Sequence, residues 1–171
     1  RAIKKDDADG DFINDAYQVP GNPDTNNNGI ADQNEDICNL YDAEGGNVVG
    51  ITSNKGTVRC YTSISNADAF NSELGADSAV PLGMFSFRVE GLEVDPVNPA
   101  AFDLTVYLTE PYATDSGWQK YDEATAEFSD YSSNVTFEGN AATVRLVDGG
   151  IGDQDGTVNG VIVDPSGPVV A

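Results

Sequence analysis

The chain has 171 residues, with 8 Lys or Arg, 29 Asp or Glu and no histidine, which gives a formal net charge of -21. This charge argues against nucleic acid as a partner, because the phosphates would be repelled. Without histidine, Ser-His-Asp and Cys-His catalysis are impossible, and zinc loses its usual ligands. We therefore expect other copies of the chain, other surface proteins or polysaccharides as partners, besides cations.

The same sequence has no apolar run near the roughly 20 residues that span a bilayer. No cleavable signal is present at Arg1. We therefore expect a mature, already processed chain without a membrane span, secreted or located at the cell surface.

The first predicted element is a pair of aspartate and asparagine ladders within residues 6–36. Alternate short carboxylates or amides on a turning loop can converge on one point, and Ca²⁺ takes six to eight oxygen ligands. In the first ladder, Phe12 stands at the glycine position and Gln18 at the position of a bidentate acid, so the match is incomplete. Its predicted oxygens come from Asp7, Asp9, Asp11, the carbonyl of Ile13, and Asp15.

The second ladder has a complete ligand set. With Asp24 counted as position 1, Gly29 falls at position 6, where the loop turns sharply and a positive φ favours glycine. Its predicted oxygens come from Asp24, Asn26, Asn28, the carbonyl of Ile30, Asp32 and Glu35. The alternative is a pair of solvated acidic turns, since Asp, Asn and Gly favour turns for local reasons. Two ladders in tandem favour metal, because a divalent ion would remove the repulsion among crowded carboxylates.

The ladders resemble thrombospondin type 3 repeats over about residues 6–36. This resemblance implies calcium, since that family consists of short calcium-binding repeats in secreted proteins. Pro20, Gly21 and Pro23 break the chain between the loops, so no flanking EF-hand helices are expected. We therefore predict a calcium-binding loop segment over residues 1–45, packed on a body formed by residues 46–171, with the ions as structural staples.

Two cysteines lie near this boundary, Cys38 after the second ladder and Cys60 in a predicted strand. We expect a Cys38–Cys60 disulfide in an oxidising compartment, which would contribute on the order of 3 kcal/mol and pin the loop segment to the body. The alternative is two independent buried thiols. Neither cysteine is a candidate nucleophile, because no histidine can serve as its base.

The body is predicted to be an all-β, antiparallel, jelly-roll-like sandwich. Short β-rich or alternating runs are expected as strands, and only residues 65–74 look helical. The first two runs should form a hairpin through Asn54-Lys55-Gly56. The runs cover 47–53, 57–63, 84–89, 102–108, 118–121, 126–131, 134–137, 142–147 and 161–163. Aromatic residues are assigned first to the core and second to a sugar-stacking platform with Trp118, Tyr121 or Tyr131.

A third candidate metal site lies near the end of the chain. With Asp153 as position 1, Asp155, Thr157 and Asp164 fall at positions 3, 5 and 12, and the Asn159 carbonyl falls at position 7. Asp148 is close enough in sequence to join them. The register is imperfect, and the surrounding glycines would equally serve a long hairpin loop with Asx turns.

Residues of about 81–168 also resemble a choice-of-anchor U domain. The resemblance is carried in order by the segments 81–87, 89–92, 118–121, 147–150 and 164–168. That family occurs in secreted bacterial proteins next to C-terminal sorting or anchoring signals. The resemblance implies a β-rich extracellular or surface protein and no catalytic activity.

Catalysis by a carboxylate pair is the one enzymatic chemistry that the composition leaves. Glu90, Glu110 and Glu127 are candidates for glycoside hydrolysis, but nothing in the sequence places two of them across a cleft. We therefore expect no enzyme. Two functions stay open: a calcium-stabilised structural protein of the bacterial cell surface or matrix, able to self-assemble into a filament or lattice, and a calcium-dependent carbohydrate-binding or adhesion module.

Overall fold

The computed structural model describes residues 23–41, 47–64, 84–112, 116–122, 127–150, 152–153 and 156–170. These ranges contain ten strands: β1 (Cys38–Tyr41), β2 (Val48–Ser53), β3 (Thr57–Ile64), β4 (Met84–Glu90), β5 (Ala101–Tyr107), β6 (Ser116–Asp122), β7 (Glu127–Asp130), β8 (Val135–Glu138), β9 (Ala141–Val147) and β10 (Ile162–Val170). Short 3-10 turns cover Asp32–Asn34 and Ser132–Asn134. Outside the described residues lie the helix expected over 65–74, residue Asp155, and the whole first ladder with Asp7, Asp9, Asp11, Ile13 and Asp15.

The strands form two antiparallel sheets of five strands each, which confirms the predicted all-β sandwich. The first sheet has the order β1-β2-β5-β9-β8, and the second has the order β3-β4-β10-β6-β7. None of the described elements is a helix long and apolar enough to cross a membrane.

Alternation along the strands explains the two layers. In β5, Phe102, Leu104 and Val106 are fully buried, while the residues between them are only partly buried. Period-2 alternation directs these three side chains to the core face of the first sheet. Phe85, Phe87 and Trp118 from the second sheet are also fully buried and belong to the same core cluster. Each such side chain contributes about 1.5–3 kcal/mol by leaving water, which holds the sheets together.

The expected hairpin between β2 and β3 is wrong, although both strands form. β2 pairs with β1 and β5, whereas β3 pairs with β4 in the second sheet. The turn at 54–56 carries the chain from one sheet to the other. Asn54 donates its backbone N–H to the Asp103 carbonyl at 3.1 Å, and its side chain accepts the Asp103 N–H at 3.0 Å. These bonds hold the turn along β5 and away from a hairpin geometry.

Strand β10 extends well beyond the predicted residues 161–163. Pro165 and Pro168 disfavour a central strand, because proline cannot donate to a ladder. β10 nevertheless lies between β4 and β6, with pairing to β4 over residues 162–166 and to β6 over residues 166–170. Each proline therefore pairs with a neighbouring strand on one side only. Its missing N–H is tolerated because the strand ladder is one-sided at that residue.

Candidate metal centre

The second ladder lies directly on the outer face of the first sheet, at Gly50. Val49 and Ile51 are fully buried and point into the core, so position 50 faces outward. A Cβ added at Gly50 would lie 2.1 Å from Thr25 Oγ1 and 3.1 Å from Ile37 Cγ2. Only glycine therefore leaves room for the ladder to pack at this point of the sheet.

The buried carboxylate of Asp32 holds the ladder in place through hydrogen bonds. This carboxylate is fully buried and accepts the Thr25 N–H at 3.0 Å, the Thr25 hydroxyl at 2.6 Å and the Asn39 side-chain amide at 2.6 Å. Hydrogen bonds to an ionised group are the strong class, so these donors stabilise the charge without a cation. The structure therefore gives this predicted ligand an anchoring role, and its part in metal binding stays a prediction.

Asn140, 115 positions away from Thr25 in the sequence, provides a second contact that holds the ladder. The Asn140 side-chain amide lies in the turn between β8 and β9, and it donates to the carbonyl of Thr25 and to that of Leu108, both at 2.9 Å. Thr25 is thereby bound to three parts of the molecule: Asp32 within the ladder, Gly50 in β2 by contact, and Asn140. The ladder is consequently part of the folded body.

Three of the predicted ligands meet at the exposed side of the ladder. The side-chain amide of Asn26 donates to Glu35 Oε2 at 3.3 Å, and that of Asn28 donates to Glu35 Oε1 at 2.5 Å. An amide presents either its nitrogen or its oxygen according to the rotation of its terminal group. The same side chains can therefore turn their oxygens toward a cation held by the Glu35 carboxylate.

Asp24 closes the other side of the same loop. Its Oδ1 accepts the Asn28 N–H at 3.1 Å, and its Oδ2 accepts the Gly29 N–H at 2.8 Å. Gly29 has φ +86°, which confirms the positive φ predicted for position 6. The backbone thus turns around the Asp24 carboxylate as the predicted coordination pattern requires. Ile30 donates its N–H to Asn28 Oδ1 at 2.8 Å.

The donor set suits a hard cation. Asp24 and Glu35 would supply carboxylates, the asparagines amide oxygens and Ile30 a carbonyl, which are the ligand types of calcium. No group of three or more His, Cys, Asp or Glu side chains with metal-binding geometry occurs among the residues the structure describes. The candidate site therefore depends on amide and carbonyl oxygens as much as on carboxylates.

The pKa of Tyr107 responds to the negative charge of the ladder. Tyr107 lies opposite Gly50 in the register of β2 and β5. Burial raises the pKa of Tyr107, and the carboxylates of Glu35 and Asp32 raise it further by disfavouring the phenolate. Both carboxylates are therefore close enough to the tyrosine for their charge to act on it.

We expect calcium to lower the Tyr107 pKa, because a cation held by Glu35 offsets the negative charge that raises it. The measurement is an alkaline titration of tyrosinate absorbance, taken as the difference between the wild type and Tyr107→Phe, in calcium and in EDTA. The Glu35→Gln variant should lose the calcium-dependent part of this difference. A Tyr107 titration that is identical in calcium and in EDTA would contradict a cation at this position.

The third candidate site lies in the connection between β9 and β10. The fully buried carboxylate of Asp148 accepts the N–H of Asn159 at 3.3 Å and that of Gly160 at 2.8 Å. Asp153 accepts the Gly149 N–H at 2.8 Å. These carboxylate-to-backbone hydrogen bonds join distant parts of the connection and stabilise it through its own side chains.

Of the other predicted ligands in this connection, Asp164 falls in β10, opposite Phe87. The Asn159 side chain accepts the Val161 N–H at 3.0 Å. Metal at Asp153, Asp155, Asn159 and Asp164 stays a prediction.

The two cysteines lie on facing edge strands. Cys38 belongs to β1 and Cys60 to β3, which are the edges of the two sheets and lie against each other. Cys38 packs partly buried against the core and is not a free thiol. Because the Cys60 side chain lies outside the described set, the Cys38–Cys60 bridge stays a prediction.

Reduction should lower stability if this bridge is formed. We expect dithiothreitol, or the double variant Cys38→Ser/Cys60→Ser, to reduce the free energy of unfolding by about 2–4 kcal/mol, since the unfolded chain regains loop entropy. Urea denaturation gives the energy, and thiol titration of the unfolded, unreduced protein gives the redox state. Two reactive thiols in that titration would contradict the bridge.

The aromatic residues considered for sugar stacking belong largely to the core. Trp118 is fully buried and Tyr131 is 7% exposed, with its hydroxyl donating to the Arg145 carbonyl. Neither ring can contact a glycan in the folded protein, so their assignment to packing is confirmed. The side chain of Tyr121 lies outside the described residues.

Comparison of the chain with protein-family models, with curated proteins and with solved structures gave no match. The resemblances to thrombospondin type 3 repeats and to a choice-of-anchor U domain therefore rest on the quoted residues alone.

Proposed function

We propose that this protein is a non-enzymatic, calcium-stabilised structural subunit of the bacterial cell surface or extracellular matrix, able to assemble with copies of itself. The observation that carries the proposal is the docked second ladder, in which the side chains of Asn26 and Asn28 meet Glu35 while Asp24 caps the same turn. This loop offers hard oxygen ligands on a rigid body.

The docking of the ladder supports a structural role for the ion. Thr25, Asp32 and Ile37 are buried against the first sheet, so ordering of residues 24–35 is coupled to the folding of the sandwich. A ligand that binds only the folded state stabilises it in proportion to the logarithm of its concentration. Calcium would therefore act as a staple between the ladder and the body.

The charge supports assembly that depends on cations. A chain with 29 acidic and 8 basic residues repels its own copies, and divalent ions at the acidic loops reduce this repulsion. The predicted disulfide and the two resemblances support an extracellular location. The alternative, a carbohydrate-binding module, loses Trp118 and Tyr131 as contacts because both are buried.

Light scattering at high protein concentration tests the assembly part of this proposal. We expect particle mass to rise with calcium in the millimolar range and to fall again with excess EDTA. Magnesium at the same ionic strength is the matched control, since it demands octahedral geometry and dehydrates reluctantly. A single species at the monomer mass under all these conditions would contradict assembly.

A further inference from the structure

The chain contains two Asn-Gly pairs, Asn28-Gly29 in the second ladder and Asn159-Gly160 in the connection between β9 and β10. The backbone nitrogen that follows an asparagine can attack the side-chain amide carbon, and glycine hinders this attack least because it has no Cβ. Each pair is followed by a β-branched residue, Ile30 or Val161. Their local sequences are therefore nearly equivalent, so a difference in their reactivity has to come from the fold.

The fold gives the two pairs the same local geometry. Gly29 has φ +86° and Gly160 has φ +80°. Asn28 Oδ1 accepts the N–H two residues further on at 2.8 Å, and Asn159 Oδ1 does the same at 3.0 Å. Such a bond wraps the side chain around the intervening glycine and polarises the carbonyl that an attacking nitrogen would meet. In both pairs, the two groups that would react are therefore close neighbours.

An aspartate carboxylate caps the backbone N–H of each of these glycines. Gly29 donates to Asp24 Oδ2 and Gly160 donates to Asp148 Oδ2, both at 2.8 Å. Hydrogen bonds to an ionised acceptor are the strong class. The glycine nitrogen has to give up this bond and lose its proton before it can attack the amide, so each carboxylate opposes the reaction of its pair.

The two caps differ in their access to water. Asp148 is fully buried and Gly160 is buried, whereas Asp24 is only partly buried and Gly29 is exposed. Water or hydroxide has to reach the glycine N–H to remove its proton. At Gly160 this requires local opening of the connection, which costs more than the fraying of an exposed loop. At Gly29, breaking one exposed hydrogen bond is sufficient.

We propose that Asn28 is a site of spontaneous deamidation whose rate is limited by the Asp24 cap, while the buried cap of Asp148 protects Asn159. The Gly29 nitrogen forms a bond to Asn28 Cγ, the Cγ–Nδ2 bond breaks, and the proton of the glycine nitrogen passes through water to the departing ammonia. Water then opens the cyclic imide. Cleavage of its Cγ–N bond gives aspartate, and cleavage of the bond between the backbone carbonyl carbon and nitrogen gives isoaspartate.

This reaction changes the exposed side of the ladder and needs no metal ion, so it is independent of the proposed function. The Asn28 amide donates to Glu35 Oε1 at 2.5 Å, and the acid that replaces it would bring a second negative charge to that carboxylate. Isoaspartate also lengthens the backbone directly before Gly29 and so displaces its N–H from Asp24. We therefore expect deamidated chains to keep the sandwich but to lose order in the ladder.

Peptide mapping by mass spectrometry, after incubation at neutral pH in EDTA, follows both asparagines in one sample. In urea the two should deamidate at similar rates, which gives the reference for the unfolded chain. In the folded wild type, we expect Asn28 to react at least about tenfold faster than Asn159, because opening of the buried connection raises the barrier at Asn159. Equal rates in the folded protein, or no product at Asn28 once the urea sample has reacted, would overturn the proposal.

Asp24→Ala tests the cap itself. Loss of a hydrogen bond to a charged acceptor should raise the rate at Asn28 about tenfold and leave Asn159 unchanged. Asn140→Ala is the matched control, because it removes a contact that docks the ladder through Thr25 but keeps the Asp24 cap, and it should react like the wild type. An unchanged rate in Asp24→Ala, or an equal rise in both variants, would refute control by the cap. Since all samples contain EDTA, failure of the proposed calcium site would leave these results unchanged.

Discussion

Replacing Asp32 by alanine should lower the free energy of unfolding by about 4 kcal/mol, even in EDTA. The Asp32 carboxylate is fully buried and accepts hydrogen bonds from Thr25 and Asn39, so its removal leaves buried donors unpaired. Bonds to a charged group contribute about 1.5–3 kcal/mol each, and loss of a buried network is among the costliest point changes. Urea denaturation in EDTA measures the effect without any contribution from metal.

The EDTA condition separates the two roles of Asp32. A residue that only binds metal would be dispensable without the ion, because its loss would relieve repulsion with Glu35. Asp36→Asn is the control, since Asp36 is an exposed neighbour and asparagine tolerates its positive φ of +57°. We expect the control to change stability by less than about 0.5 kcal/mol. Equal stability of the wild type and Asp32→Ala in EDTA would show that the carboxylate is no anchor.

Gly50→Val should detach the ladder while the sandwich stays folded. The new Cβ would lie 2.1 Å from Thr25 Oγ1. The Thr25 hydroxyl cannot move aside without breaking its hydrogen bond to Asp32. We expect a loss of at least about 3 kcal/mol, from the exposure of Ile37 and the Asp32 network. Far-UV circular dichroism should change little, because the core residues Val49 and Ile51 keep their positions.

Thr52→Val is the matched control for this change. Thr52 is the next outward-facing position of β2, and valine keeps its shape while losing one hydrogen bond to the Asp36 carbonyl at 3.2 Å. Its cost should stay near 1 kcal/mol. Calcium should still raise the melting temperature of Thr52→Val but act less on Gly50→Val. If Gly50→Val melted like the control, the packing of the ladder on the sheet would be wrong.

The strands could be predicted because their pattern is local. Residues 101–107 and 141–147 alternate buried side chains with partly buried or exposed ones, as period 2 requires, and the predicted strands at 102–108 and 142–147 lie within one residue of them. β10 was predicted only in part, because Pro165 and Pro168 disfavour a strand unless one side lacks a partner. The sequence does not predict the four residues of β1, since they follow the ladder closely and are too few to establish a period of 2.

The packing of the loop segment on the body could be predicted, but the contacts that dock the ladder could not, because they are not local. Asn140 binds Thr25 across 115 positions of sequence, and Gly50 gives no sign in the sequence that another segment packs on it. The hairpin predicted at residues 54–56 was wrong, because the same turn residues can either close a hairpin or carry the chain to the facing sheet. The spacing from Asp24 to Glu35 was sufficient to propose a site, but it could not show that Asp32 faces the body.

Thermal melting in calcium and in EDTA, for the wild type and Glu35→Gln, tests the central claim most directly. At a calcium concentration 100 times the Kd, linkage contributes about 2.7 kcal/mol. For a chain of this length, that corresponds to a rise of about 5–10 °C in Tm. Glu35→Gln should lose a large part of this rise, while Glu93→Gln, an exposed control outside the ladder, should keep it. An identical melting temperature for the wild type in calcium and in EDTA would contradict a calcium-stabilised protein.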